Sequence, residues 1–131
     1  MTHKEALDIG LPTPGQPFSW AIRSGEMIYT THAAVTPEGG ILQEPVEAQA
    51  HLTFQHLART MEVAGGSMAD YLQLQIFLVD GADMAIVDKV YAQYFQAPYP
   101  NRATLIVAGL VGPGMLIEVT AIGRVPVSPE A

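Results

Sequence analysis

Apolar residues in this chain change their spacing four times along its length, and those changes of period restrict the fold more than any single motif does. From Pro45 to Ala64, the residues Ala50, Phe54, Leu57, Ala58, Met61 and Ala64 fall three and four apart, on one face of a helix. Pro45 suits its first turn, Glu47 complements the positive end of the dipole, and Gly65-Gly66 supplies the stop. From Tyr71 to Val79 the period drops to two: Leu72, Leu74, Ile76 and Leu78 alternate with Tyr71, Gln73, Gln75, Phe77 and Val79, which predicts a strand. Helical spacing returns at Met84, Val87, Tyr91, Tyr94 and Phe95, with Asp83 as N-cap and Pro98 as a barrier beyond the end. Before the first helix, Phe18–Ile22 and Glu26–Ala34 flank Arg23-Ser24-Gly25, a hairpin signal. After the second, Ala103–Val107 and Met115–Ile122 read as strands joined by the Gly/Pro loop Gly109–Gly114.

The resulting order, ββαβαββ, predicts an α+β fold with both helices on one face of a single sheet. A sheet covered on one side must wet or pack its other side, and apolar residues on both faces of the last strand point to packing against another copy. The 131 residues read as one domain without repeats or linkers. Its first sixteen residues are expected to be irregular, given three Pro and two Gly between Gly10 and Pro17, and residues 125–131 to form a frayed tail.

Charge narrows the possible partners. A net charge of −7, with Lys4, Lys89, Arg23, Arg59, Arg102 and Arg124 as the fixed cations, lacks the basic field a phosphate backbone requires, so nucleic acid is not expected. The charged fraction of 15% against 49% hydrophobic residues is low for a small monomer and fits an oligomer. Zero Cys excludes disulfides, thiolate metal sites and thiol nucleophiles, and is compatible with a cytoplasmic location. Neither a signal peptide in MTHKEALDIGLP nor an apolar run long enough for a membrane span is present, so no membrane association is expected.

Few residues remain that could carry chemistry. His51 and His56 are five apart and point about 140° from each other on a helix, too far to chelate one ion, so no metal is expected and both read as solvated or capping. His32 lies where a strand meets a turn, either as a neutral-pH acid or base or as an exposed turn histidine. Phosphate-loop and GxSxG signatures are absent. Arg102, opening a strand after Pro100-Asn101, is the residue type that grips a carboxylate with two parallel bonds. Glu118 interrupts an apolar strand, where a carboxyl is either paired or raised in pKa. The alternative is an edge-strand Glu118 facing solvent and an ordinary surface ion pair at Arg102.

PNRAT after a Tyr-rich helix, then MLIEVTAIG, resembles the C-terminal signature of the RidA (YjgF) family. PFSWAIRSGEMIYTT, AGGSMADYLQLQIFLVD and VYAQYF agree in order, so the resemblance spans Pro17 to about Gly123. It implies a chorismate-mutase-like homotrimer with sites between subunits, needing no cofactor. It further implies hydrolysis of reactive 2-imino or 2-enamino acids, of 2-aminoacrylate or larger aminomuconate type, to keto acid and ammonia. Arg102 would bind the substrate carboxylate and Glu118 position water, with Thr31 or Thr104 assisting. Cleft positions depart from the family pattern: Phe18 replaces a Tyr, Thr31-His32-Ala33 a Ser-Gly-Gln, Asp88 an Asn and Thr104 a Cys. Phe18, Trp20 and His32 would shape room for a larger substrate. A competing expectation is a non-catalytic trimeric module that binds small carboxylates or keto acids.

Overall fold

The computed structural model describes residues 3–127. Its elements run β1 (Glu5–Ala6), β2 (Ala21–Ser24), β3 (Met27–Ala33), α1 (Val46–Ala64), β4 (Tyr71–Leu78), α2 (Met84–Tyr94), β5 (Asn101–Ile106) and β6 (Ile117–Arg124). All six strands join one sheet in the order β1-β2-β3-β6-β4-β5. Every pairing is antiparallel except β4 with β5, which are parallel and connected through α2. The expected α+β architecture is therefore present, with β1 added to it.

Both helices lie on the same face of the sheet. Phe54, Leu57 and Met61 of α1 and Val87 and Val90 of α2 share one buried cluster with Leu74, Ile76 and Leu78 of β4 and Ile117, Val119 and Ala121 of β6. Burial of these apolar side chains is the main force holding the layers together. Pro45 stands at the N-cap of α1, and Gly65 closes the helix at φ +90°. A left-handed residue there lets the amides of Gly65 and Gly66 reach back to the carbonyls of Glu62 and Met61. At Gly123 the helix comes so close that an added Cβ would lie 2.1 Å from Met61 Cε and 2.9 Å from the Asp70 carbonyl oxygen.

Several local expectations are corrected. The N-terminal segment is not wholly irregular, because Glu5 and Ala6 pair with Arg23 and Ile22 and Ile9 is buried. Fraying does not begin at Val125, which is buried and donates its amide to Glu26; residues 128–131 of the expected tail lie outside the described residues. Asp83 occupies the N-cap of α2 without a side-chain bond; Asp80 instead accepts from the Ala82 amide, capping the short 3-10 turn Gly81–Asp83. The alternation in β4 breaks at a register shift between Tyr71 and Gln73, which buries Tyr71 and exposes Leu72. In β6 the apolar residues Ile117, Val119 and Ala121 face the helices, whereas Glu118, Thr120 and Ile122 face away, so the open face is more polar than expected.

Candidate active site

Strand β6 is central, flanked by β3 and β4, so Glu118 is not on an edge. Its neighbours across the sheet are Ala33 and Phe77. Because Ile117 and Val119 point into the core, the pleat turns Glu118 to the open face. There it lines a cleft of about 740 Å³ with Phe18, Trp20, Thr31, Ile41, Val111 and Met115 among its walls. Glu118 is the one charged side chain in that lining and has no hydrogen bond or ion pair among the described residues. Burial holds its carboxyl above the usual carboxylate range.

The loop leading into Glu118 is fixed from α1. Buried Gln49 donates to the carbonyls of Glu44 and Gly114 and accepts from the Leu116 amide, while Gln43 donates to the Pro113 carbonyl. Gly114, at φ +79°, lies so near the Gln43 amide that a Cβ would meet it at 2.3 Å. Sequence periodicity does not single out either glutamine, since Gln49 reads as one more polar helix residue beside Ala50.

Arg102 lies on the other face. It pairs with Leu74, a core residue, so the parallel ladder turns its side chain toward the helices. Nε and Nη2 donate to Thr104 Oγ1 at 3.1 and 3.0 Å, and Nη2 forms an ion pair with Asp88 of α2. The guanidinium sits 4.6 Å from the centroid of the Tyr91 ring, a cation–π contact. Asp88, Tyr91, Arg102 and Thr104 thus form one cluster, and Phe18, Thr31 and Glu118 another, on opposite sides of the sheet of a single chain. Tyr91 was read from sequence only as a core residue; the Asp88-x-x-Tyr91 spacing, which puts both on one helix face, is the signal that links it to Arg102.

His32 belongs to neither cluster. It is not the exposed turn histidine considered from sequence but is 1% exposed on the helix face, opposite Val119. Thr30 Oγ1 donates to the Trp20 carbonyl and Thr60 Oγ1 to the His56 carbonyl, so both hydroxyls accept from His32 Nε2. That assignment leaves Nδ1 as a buried lone pair without a partner. Burial, with His56 nearby, lowers its pKa to about 3. Instead of lining the cleft, His32 supports it from behind, stacked on Trp20 at 6.3 Å between centroids. His51 and His56 are not simply solvated: His56 Nε2 donates to the Val35 carbonyl, and His51 Nδ1 contacts the Tyr94 hydroxyl at 2.9 Å. Among the described residues no group of three His, Asp or Glu could hold a metal ion.

This arrangement of sheet and helices places the protein among α+β domains of the chorismate-mutase-like type. The profile of the family described as Endoribonuclease L-PSP matches residues 10–125, and the chain belongs to that family, also called RidA or YjgF. It is 32% identical over 111 residues to the protein mmf2, mitochondrial, of Schizosaccharomyces pombe, covering 82% of this chain and 87% of the relative. It is likewise 32% identical over 98 residues to the putative reactive intermediate deaminase TdcF of Escherichia coli, covering 72% of this chain and 76% of TdcF. The crystal structure of TdcF with bound serine superimposes with a TM-score of 0.82 at 28% identity, covering 92% of this chain and 98% of that one. RidA from a Psychrobacter species gives a TM-score of 0.84 at 27% identity, covering 92% and 99%. None of the described helices is long and apolar enough to cross a membrane.

Proposed function

We propose that the protein is an imine/enamine deaminase whose site forms where the Arg102 cluster of one copy meets the Glu118 cleft of another. The observation that carries this reading is the opposed placement of two complementary groups, an Arg gripping side and an unpaired carboxyl in an apolar cleft. Family relatives named reactive intermediate deaminase support the reaction class, and TdcF with bound serine supports a small carboxylate ligand. A homotrimer, the assembly the family resemblance implies, would present three such meetings. The cytoplasm is the proposed compartment.

In this mechanism Arg102 holds the substrate carboxylate, and Thr104, whose oxygen already accepts from Arg102, has its own proton free to donate to the ligand. An enamine acid first takes a proton at carbon to become the iminium. Glu118, as carboxylate, accepts a proton from water as that water adds to the iminium carbon. It then returns that proton to nitrogen and takes the hydroxyl proton as the C–N bond breaks, so that ammonia leaves and the keto acid remains; Glu118 finally loses the proton to solvent, balancing the one that solvent gave to carbon. A carboxyl raised by burial above its ordinary pKa gives up a proton less readily than a solvated one, which suits a group that must take a proton and later return it. Phe18 and Trp20 leave space for substrates larger than 2-aminoacrylate.

The test is ammonia release from enzymatically generated 2-aminoacrylate and from a larger imino acid. Glu118→Gln is expected to lower kcat by at least about a hundredfold while a keto acid still binds. Keto-acid binding by the wild-type protein with no ammonia release above the uncatalysed rate would instead support the non-catalytic module, and wild-type kcat in Glu118→Gln would remove Glu118 from the mechanism.

A further inference from the structure

We propose that Asp88 is a specificity-determining counter-ion, making the Arg102 side of the site prefer ligands with a cationic nitrogen beside their carboxylate over keto acids that lack it. The proposal rests on the reading above that Arg102 receives the ligand carboxylate.

A guanidinium binds a carboxylate best through two donors along one edge. In Arg102 the Nε/Nη2 edge is already engaged, by Thr104 Oγ1 on both nitrogens and by Asp88 Oδ1 on Nη2. The Tyr91 ring lies against the guanidinium face. Nη1 alone has no hydrogen-bond partner among the described residues. An incoming carboxylate that takes Nη1 must share Nη2 with Asp88 or displace it, and in either case two negative groups come together. Asp88 is half exposed, which screens that repulsion without cancelling it.

The sign of the interaction then depends on the ligand's other end. A keto acid brings only its negative charge and is disfavoured. A protonated imino acid, or an amino acid as its stable likeness, carries N–H donors on the carbon next to the carboxylate. Asp88 Oδ2, which has no partner among the described residues, can accept one of them. The same carboxylate therefore attracts the substrate and repels the product, which differ by one unit of charge. Replacing it with the neutral amide of Asn keeps the shape and removes the discrimination.

The experiment is an NMR titration at neutral pH with alanine and with pyruvate, ligands of equal carbon count, against wild type, Asp88→Asn, Asp88→Ser and Arg102→Ala. Wild type is expected to bind alanine more tightly than pyruvate. In both Asp88 variants pyruvate should tighten by on the order of tenfold and alanine weaken, reversing the order. Arg102→Ala should bind neither. If Arg102→Ala loses both ligands but the two Asp88 variants keep the wild-type ratio, the counter-ion role is wrong and the Arg102 reading stands. If Arg102→Ala binds both as wild type does, or wild type binds neither, the Arg102 reading fails and takes this proposal with it.

Discussion

At His32 a neutral imidazole donates through Nε2 and keeps Nδ1 bare in the core. Adding a proton there would bury a charge, which is why the folded pKa falls to about 3 from the ordinary 6.5. The unfolded chain therefore binds more protons between those values, and stability declines as pH drops from about 6.5 toward 3, by up to roughly 1.4 kcal/mol per unit. Above that window the His32 contribution is complete. Urea unfolding at neutral and mildly acidic pH should show this slope, and His32→Gln, which cannot take the proton, should flatten it. His56, lowered mainly by burial, adds to the slope in the same direction. Sequence could mark His32 as unusual, but it could not tell which way the pleat turned it. THAAVTP places the residue at a strand end and says nothing about the threonine of α1 that meets it. Glu118 was legible, because a charge amid Leu116, Ile117 and Val119 demands an explanation in any register.

Among the elements, α1 does more than cover the sheet. Gln49 holds the loop before β6 through two hydrogen bonds, to the Gly114 carbonyl and from the Leu116 amide, and a third ties it to the Glu44 carbonyl ahead of α1. Gln49→Met keeps the volume but strands those partners in a buried site, so a loss of about 2–4 kcal/mol in urea unfolding is expected. Gly123→Ala tests the closeness of helix and sheet. Met61 is flexible enough to yield, but the Asp70 carbonyl is backbone, so destabilisation of about 1–3 kcal/mol should follow. Both helices and β4 were readable from period, while β3, β5 and β6 were readable as apolar runs set off by turn residues. The two-residue β1 and the shift at Leu72 were not, because a strand of two residues has no period and a bulge appears only in the partner's register.

For the whole molecule, the two clusters lie on opposed faces of the sheet, so the proposed site would need two copies to complete it. If sites form between copies, unfolding Arg102→Ala and Glu118→Gln chains, mixing them and refolding them together should restore activity. With random assembly about a quarter of the sites would draw their guanidinium from one variant and their carboxyl from the other. The recovered rate, measured against each variant refolded by itself, checks this; no recovery would mean that each chain is self-sufficient. The pairing of Arg102 with Glu118 was suggested by a family resemblance, while their separation across the sheet needed the strand register, which one sequence does not disclose.

Trp20 is the only tryptophan in the chain. Its indole nitrogen is tied to the Pro12 carbonyl, its ring stacks on His32, and the residue helps wall the cleft. The protein thus carries its own optical reporter: excitation at the red edge of the near ultraviolet, beyond the absorption of its five tyrosines, addresses a single emitter, and a guest displacing water from the cleft should shift or quench its fluorescence without any label.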